Sequence, residues 1–311
     1  MTGTFFIIAA CFTWALDTLI RYPLLERGYS TLQIVLIEHL TLVLITAPLL
    51  IRYRKHYFRL STKSFASLFF IGGVGSAIGT LAFTQAFQYL NPTVVILLQK
   101  LQPIVAILLA YWLLKENIQS HFIRWAGVIL LGSFIMMWPD IRLLNTGNLH
   151  YSPDQNEFLK GYGYTLIAVF AWGSSTVCGK YLSMQALPAN AILSGRFFSG
   201  LIVLILFAFS APESLQSIQT ADLSLTVVMA LLSGLIGMWL YYQGLKTLPA
   251  QMATLAELTF PVFAAAINWV FLDMSLSLYQ VAGATLLIAG NIGLRMVEEA
   301  RTRQSVQQQT A

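Results

Sequence analysis

Long apolar runs, separated by short polar segments, make up most of this chain. A helix that crosses a bilayer needs about 20 mainly apolar residues. Ten runs come near that length, at about 4–22, 32–51, 64–89, 92–114, 121–139, 159–181, 188–210, 222–246, 250–272 and 276–296. Each run is continuously apolar, whereas the strands of a membrane barrel alternate between apolar and polar residues. The pattern therefore predicts an all-α integral membrane protein with ten transmembrane helices.

The composition supports the same class. Only 10% of the 311 residues are charged and 57% are hydrophobic, whereas a soluble domain carries about 25% charged residues. The basic residues form no cluster on one face, so nucleic acid is not an expected partner. The two cysteines, Cys11 and Cys178, lie inside apolar runs and have neither disulfide nor metal-site spacing. We predict no cofactor and no metal site.

Basic residues between the runs predict the orientation. With ten spans both termini lie on one side, whose loops carry 12 Lys and Arg residues against four on the other side. The segment RYRKHYFRLSTK, 52–63, contributes most to this bias. Because positively charged loops stay in the cytoplasm, both termini are predicted to be cytoplasmic. The same count assigns Arg21 and Arg27 to the outer side.

The chain reads as two copies of one unit, 158 residues apart. At that offset FTW at 12–14 lies over FAW at 170–172, and the aligned pairs include Gly79 with Gly237, Gln85 with Gln243 and Pro103 with Pro261. Five spans per copy is an odd number, so the second copy must enter the membrane upside down. Such inverted repeats are common in transporters, with binding near the bilayer midplane.

The repeat also sets the expected domain boundaries. Residues 1–140 form the first repeat and residues 158–298 the second. The polar segment 141–157, rich in Asn, Pro and Gly, joins them as a linker on the periplasmic side. The tail 299–311 is expected to be disordered and cytoplasmic.

Several motifs in a fixed order resemble a known family. They are TWALDT (13–18), AWGSST (171–176), SGRFFSG (194–200), FQYLNPTVVILLQKLQP (87–103) and LKTLPAQMATLAELTFP (245–261). Over nearly its whole length the chain resembles the EamA-like family of the drug/metabolite transporter superfamily. The resemblance implies a multi-pass carrier in a bacterial inner (plasma) membrane, with a cavity between spans 1–4 and 6–9. One departure is Glu38, which stands where the family has an arginine that the second copy keeps as Arg196.

The candidate ionisable residues within the spans are Asp17, Glu38, His39, Lys100, Arg196 and Glu257. Each costs roughly 2.5–3.5 kcal/mol to insert at a helix centre, so such residues face a cavity and pair. By helical rise, the first four lie in an outer layer and the last two in an inner layer. We expect Lys100 to bind Asp17 or Glu38 as an outer gate, with Arg196 and Glu257 as its inverted counterpart. Permanent structural ion pairs are the alternative.

Uncharged candidates complete the expected site. Trp14 and Trp172 coincide in the repeat and are expected to line the path. Gln85 and Gln243, also equivalent, either contact substrate or bond between helices. His39 either carries a proton or bonds a neighbouring helix. The small-residue segments GSAIG (75–79) and SGLIG (233–237) predict close helix packing.

These features predict a transporter of a small metabolite by alternating access. Charges of both signs beside aromatic residues suit an amino acid or related amphipathic compound, and the resemblance implies export. The alternative transport function is import of a nucleoside-like metabolite. Two alternatives do not involve transport: a membrane receptor, and an intramembrane enzyme that uses Asp17 and Glu38. No catalytic or ATP-binding motif is present, so we expect no enzyme and facilitated or ion-coupled transport. The expected partners are the substrate and the lipid bilayer, with protons a candidate coupling ion and a homodimer a candidate assembly.

Overall fold

The computed structural model of the protein describes residues 2–90, 92–115, 123–132, 134–135, 138, 155–212, 215–249, 252–253, 256–272, 277–279, 281–286, 289–290 and 292–293. These residues contain helices and no β-strand. The helices are α1 (Thr2–Glu26), α2 (Thr31–Phe58), α3 (Thr62–Ala86), α4 (92–114), α5 (Ile123–Gly132), α6 (Gln155–Met184), α7 (Ala189–Ser210), α8 (Thr220–Thr247) and α9 (257–271). Residues 278–279, 281–286, 289–290 and 292–293 are also helical.

Five of these helices are long and apolar enough to cross a membrane: Gly3–Glu26, Thr31–Phe58, Thr62–Ala86, Ala189–Ser210 and Thr220–Thr247. Shorter apolar helices cover Val105–Leu114, Ile123–Gly132 and Phe260–Phe271. This agrees with an all-helical membrane protein. The count of ten spans and the inverted repeat stay predictions, because parts of the fifth, ninth and tenth predicted spans lie outside the described residues.

The predicted boundaries between the copies are only partly covered. Helix α6 begins at Gln155, inside the predicted linker 141–157, so the helix starts about one turn before the apolar run and includes the polar residues 155–157. Residues 141–154 and the tail 299–311 lie outside the described residues, so the linker and the disordered tail remain predictions.

The turn between α1 and α2 is short and tightly defined. Gly28 has a φ of +88°, a conformation that glycine adopts without a steric penalty. Ser30 then caps α2, since its side chain accepts a hydrogen bond from the backbone N–H of Gln33. The chain therefore reverses within four residues, and α1 runs to Glu26, one turn beyond its predicted end.

The two halves of the chain are interlocked. Helix α1 packs against α8 and α9, and in the equivalent way α6 packs against α3 and α4, while α2 packs against α7. Helices α3 and α8 each widen into a π-helical segment, Ile71–Ile78 and Ala230–Gly237, that overlap at the 158-residue offset. Such widened turns occur frequently at functional sites. The main apolar core joins residues of both halves, so the space between them is where a central site can form.

Candidate binding cavity

An internal cavity lies between the two halves and is lined by residues from both. Its volume is about 140 Å³, below the roughly 300–1,000 Å³ of typical small-molecule sites. Of the ten predicted site residues, seven line it: Trp14, Asp17, Glu38, His39, Trp172, Arg196 and Glu257.

The other three predicted residues have different positions. Gln85 lies at the end of α3, where its side-chain amide donates to Gln88 at 2.7 Å. Gln243 lies one turn before the end of α8. Neither contributes to the cavity lining within the described part of the chain. The side chain of Lys100 lies outside the described residues, so its predicted role stays untested.

Arg21 is the partner of the two buried carboxylates in α1 and α2. Its Nε donates to Asp17 at 2.5 Å, its Nη2 donates to Asp17 and Glu38 at 2.9 Å each, and its Nη1 donates to Thr84 at 3.2 Å. Asp17 also accepts from the hydroxyl of Ser233 at 2.6 Å. The exposed fractions of Arg21, Asp17 and Glu38 are only 3%, 8% and 6%.

The assignment of Arg21 to the outer loops is therefore wrong. Arg21 lies inside α1, near the end of the predicted span 4–22 and one turn after Asp17. Residues four apart lie on the same helix face, and both side chains point into the cavity. The Asp–x₃–Arg spacing was the sequence signal for this pair. The pair was not predicted, because a basic residue near a helix end was counted as a loop residue.

His39 has both ring nitrogens occupied. Nδ1 lies 2.9 Å from the carbonyl oxygen of Val35, and Nε2 lies 3.0 Å from the hydroxyl of Ser76. A carbonyl can only accept, so Nδ1 carries a proton, and in the neutral ring Nε2 accepts from Ser76. These bonds hold the ring between α2 and α3 and favour the helix-bonding alternative over a proton-carrying role.

Trp14 and Trp172 make equivalent contacts across the two halves. The indole N–H of Trp14 donates to the carbonyl of Ser233 at 3.2 Å, and that of Trp172 donates to the carbonyl of Gly75 at 2.9 Å. The donors are 158 residues apart, and so are the acceptors. These two hydrogen bonds hold both indoles at the cavity wall.

Each tryptophan also packs against an aromatic ring at the cavity. Trp14 lies 5.6 Å from Tyr241 and Trp172 lies 4.9 Å from Phe83, measured between ring centroids. Tyr241 and Phe83 are again separated by 158 residues. Sequence reasoning missed Phe83, because a single phenylalanine in an apolar run is indistinguishable from core packing.

Arg196 and Glu257 both line the cavity, and each bonds to another residue. Arg196 donates from Nη1 to the hydroxyl of Tyr242 at 3.3 Å, and Glu257 accepts from the amide of Gln102 at 2.8 Å. Direct pairing of Arg196 with Glu257 as an inner gate remains a prediction. The described residues hold no group of three or more His, Cys, Asp or Glu side chains placed to bind a metal.

The cavity thus combines aromatic faces with fixed polar groups. Flat rings bind well to such faces by offset stacking, while amide, hydroxyl and guanidinium groups fix the orientation of a ligand. The Asp17–Arg21–Glu38 network is largely satisfied within itself. Chemically the cavity is suited to binding a small polar molecule with a planar ring.

Comparison with known proteins gives relatives along the full chain. The riboflavin transporter ImpX of Fusobacterium nucleatum is 28% identical over 290 residues, which cover 92% of this chain and 95% of that protein. Protein LicB of Haemophilus influenzae is 23% identical over 304 residues, covering 94% and 97%. A solved crystal structure matches the fold with a TM-score of 0.70 at 14% identity, covering 95% of this chain and 96% of its own.

The family comparison covers most of the chain in two parts. The model of the EamA-like transporter family matches residues 1–138 and again residues 159–296. The two matched segments are separated by the polar stretch that precedes α6. The protein therefore belongs to the EamA-like transporter family and is a multi-pass membrane transporter of small molecules, not an enzyme.

Proposed function

We propose that this protein carries a small metabolite with a planar aromatic ring system, of the flavin class, through the cavity by alternating access. The observation that supports this most is the pair of aromatic contacts, Trp14 with Tyr241 and Trp172 with Phe83, at one cavity. A flavin ring offers two faces for stacking and a polar edge for hydrogen bonds. The riboflavin-transporting relative favours the same substrate class.

Amino acid export is the second candidate. It is favoured by Arg196 and Glu257, whose opposite charges line the same cavity and suit a zwitterion. Against it, Arg21 already neutralises much of the charge of Asp17 and Glu38, so the layer beside Trp14 offers little to a free ammonium or carboxylate. We therefore rank the flavin class first.

Alternating access through inverted repeats is the proposed mechanism. The contacts of Trp14 and Trp172, exchanged between halves at one offset, support two copies related by a pseudo-twofold axis. With Arg21 inside the membrane, the loops on the side of the termini carry 12 Lys and Arg residues and the loops on the other side carry three. This larger difference favours cytoplasmic termini more strongly. The inner membrane is the proposed location. Without an ATP-binding motif, net flux follows the gradient of the substrate or of a coupled ion, for which protons remain the candidate.

A cluster of polar contacts at one end of the molecule is the proposed gate. We name it the clamp: Arg27, Tyr29 and Gln33 on one half, with Gln216 and Asp222 on the other. Arg27 forms an ion pair with Asp222, and Tyr29 donates to the same carboxylate at 2.8 Å. The amide of Gln33 donates to the backbone carbonyl of Gln216 at 2.7 Å. By the proposed orientation this end faces outward.

Transport assays in proteoliposomes test the proposal. We expect saturable uptake of labelled riboflavin that unlabelled riboflavin inhibits and excess tryptophan does not. Trp14→Ala and Trp172→Ala should each raise KM by about tenfold, since stacking contributes roughly 1–3 kcal/mol per ring. Trp112→Ala is the matched control, because Trp112 is 72% exposed on the outer surface of α4. Tryptophan transport without riboflavin transport would overturn the flavin assignment in favour of the second candidate.

A further inference from the structure

The two halves differ sharply at one pair of equivalent positions. The 158-residue offset relates Glu38 to Arg196. In the first half, Glu38 accepts from Arg21, which also bonds to Thr84. In the second half, the positions of Arg21 and Thr84 are taken by Gly179 and Tyr242. A charged residue is present in both halves, but only the first half supplies an opposite charge at the equivalent place.

The guanidinium of Arg196 is incompletely bonded. Its hydrogen bond within the described part of the chain runs from Nη1 to Tyr242, and its buried Nε has no partner there. Arg196 is only 7% exposed and lines the cavity. A guanidinium carries five N–H donors, arranged as a planar fork. Because a buried, unsatisfied donor costs free energy, the edge formed by Nε and Nη2 is suited to a ligand.

Two other lining groups are also buried without partners among the described residues. They are the side-chain oxygen of Gln99 and the hydroxyl of Ser175. Together with Arg196 they offer donors and an acceptor to the same cavity. A ligand edge that carries an acceptor, a donor and an acceptor in a row is complementary to these three groups. The dione edge of a pyrimidinedione ring, which consists of two carbonyl groups with an N–H between them, has this pattern.

We infer that Arg196, with Gln99 and Ser175, forms the subsite that recognises the dione edge of the substrate's ring. This inference rests on the proposed function, in that it takes the cavity as the transport site. The Nε and Nη2 donors of Arg196 converge on one carbonyl oxygen, the ring N–H donates to the Gln99 oxygen, and the Ser175 hydroxyl donates to the second carbonyl oxygen; lysine cannot reproduce the planar pair of donors. A carboxylate would instead take both donors of Arg196 on its two oxygens, so the test separates a flavin from an amino acid as the source.

The experiment measures ligand affinity in the purified full-length protein. Wild type, Arg196→Gln and Arg196→Lys are titrated with riboflavin, N3-methylriboflavin, tryptophan and tryptamine. Arg52→Gln is the matched control, because Arg52 is an exposed arginine at the end of α2. We expect Arg196→Gln to weaken riboflavin binding by about tenfold or more, as for a lost charged hydrogen bond. Arg196→Lys should lose nearly as much although the charge is kept, and Arg52→Gln should bind as wild type.

The outcomes distinguish the subsite from the flavin assignment. Riboflavin binding that is weakened by Arg196→Gln and by N3-methylation supports both. Equal riboflavin affinity in wild type and Arg196→Gln overturns the subsite and leaves the proposed function standing. If wild type binds tryptophan but not riboflavin, and Arg196→Gln loses tryptophan while tryptamine is unaffected, the subsite stands and its ligand is a carboxylate. Should Arg196→Gln fail to fold, Arg196→Lys supplies the same comparison.

Discussion

Much of the favourable electrostatic free energy at the cavity comes from one side chain, that of Arg21. It holds two buried carboxylates from different helices and reaches a hydroxyl on a third. We expect Arg21→Gln to lower the free energy of unfolding by about 3–5 kcal/mol, because removing one partner of a buried pair leaves uncompensated charge. Thermal unfolding of the detergent-solubilised protein measures the loss, with exposed Arg52→Gln as the control.

The cause of that loss can be isolated with a second variant. If unpaired carboxylates are responsible, adding Asp17→Asn and Glu38→Gln to Arg21→Gln should recover part of the stability, since a neutral network no longer needs a counter-charge. A triple variant no more stable than Arg21→Gln would contradict this explanation and point to lost packing of the arginine stem instead.

Sequence reasoning could identify the carboxylates but not their partner. A buried acidic residue within an apolar run is conspicuous, and Asp17, Glu38 and Glu257 all line the cavity. Which cation reaches them depends on whether a basic residue near the end of a span belongs to the loop or to the interior, and Arg21, at the end of the predicted span 4–22, belongs to the interior. The unsatisfied groups of Gln99 and Ser175 are visible only in three dimensions, because neither residue type is unusual in a membrane helix.

The glycines of α3 and α8 make room for the tryptophan rings. A side chain at Gly79 would meet the indole nitrogen of Trp172 at 2.8 Å, and one at Gly237 would meet that of Trp14 at 2.7 Å. The small-residue segments were predicted to bring helices together. The structure adds that the cavity tryptophans lie against these two glycines, together with Thr13 at Gly237. The π-helical turns that accompany these glycines could not be predicted, because hydrophobic periodicity does not show a single widened turn.

Valine at these positions should therefore destabilise the protein. We expect Gly79→Val and Gly237→Val to lower the free energy of unfolding by similar amounts, about 1–3 kcal/mol each, as for overpacked cores. Both should also reduce transport, because the indoles must move from the cavity wall. Gly163→Val is the control, since nothing lies within 4 Å of a side chain added there. The explanation fails if Gly163→Val, measured by the same thermal unfolding assay, is as damaging as Gly237→Val.

Contacts that run between the two halves hold them together. Each cavity tryptophan bonds to the other half, and the clamp joins the α1–α2 turn to the segment that leads into α8. The internal similarity of the sequence predicted two equivalent copies. It could not predict the clamp, because Arg27 and Asp222 are 195 residues apart and do not occupy equivalent positions in the repeat.

Weakening the clamp should favour the state in which the cavity opens at that end. The two partners of the ion pair differ in solvent exposure: the side chain of Asp222 is 6% exposed and that of Arg27 is 52% exposed. A half-exposed pair contributes about 1 kcal/mol at most, so Asp222→Asn should shift the population of open molecules roughly fivefold. The exchanged pair Arg27→Asp with Asp222→Arg should restore part of the closure.

Labelling of a single cavity cysteine measures this shift. Thr80→Cys, in a background with Cys11 and Cys178 replaced by alanine, places a thiol in the cavity wall. A membrane-impermeant reagent added outside intact cells should label it about fivefold faster with Asp222→Asn. Tyr57→Phe is the control, because Tyr57 bonds to Ala191 and Ser194 near the opposite end of the molecule. An unchanged rate from both sides would exclude the clamp as a gate, whereas acceleration only in inside-out vesicles would keep the gate and reverse the proposed orientation.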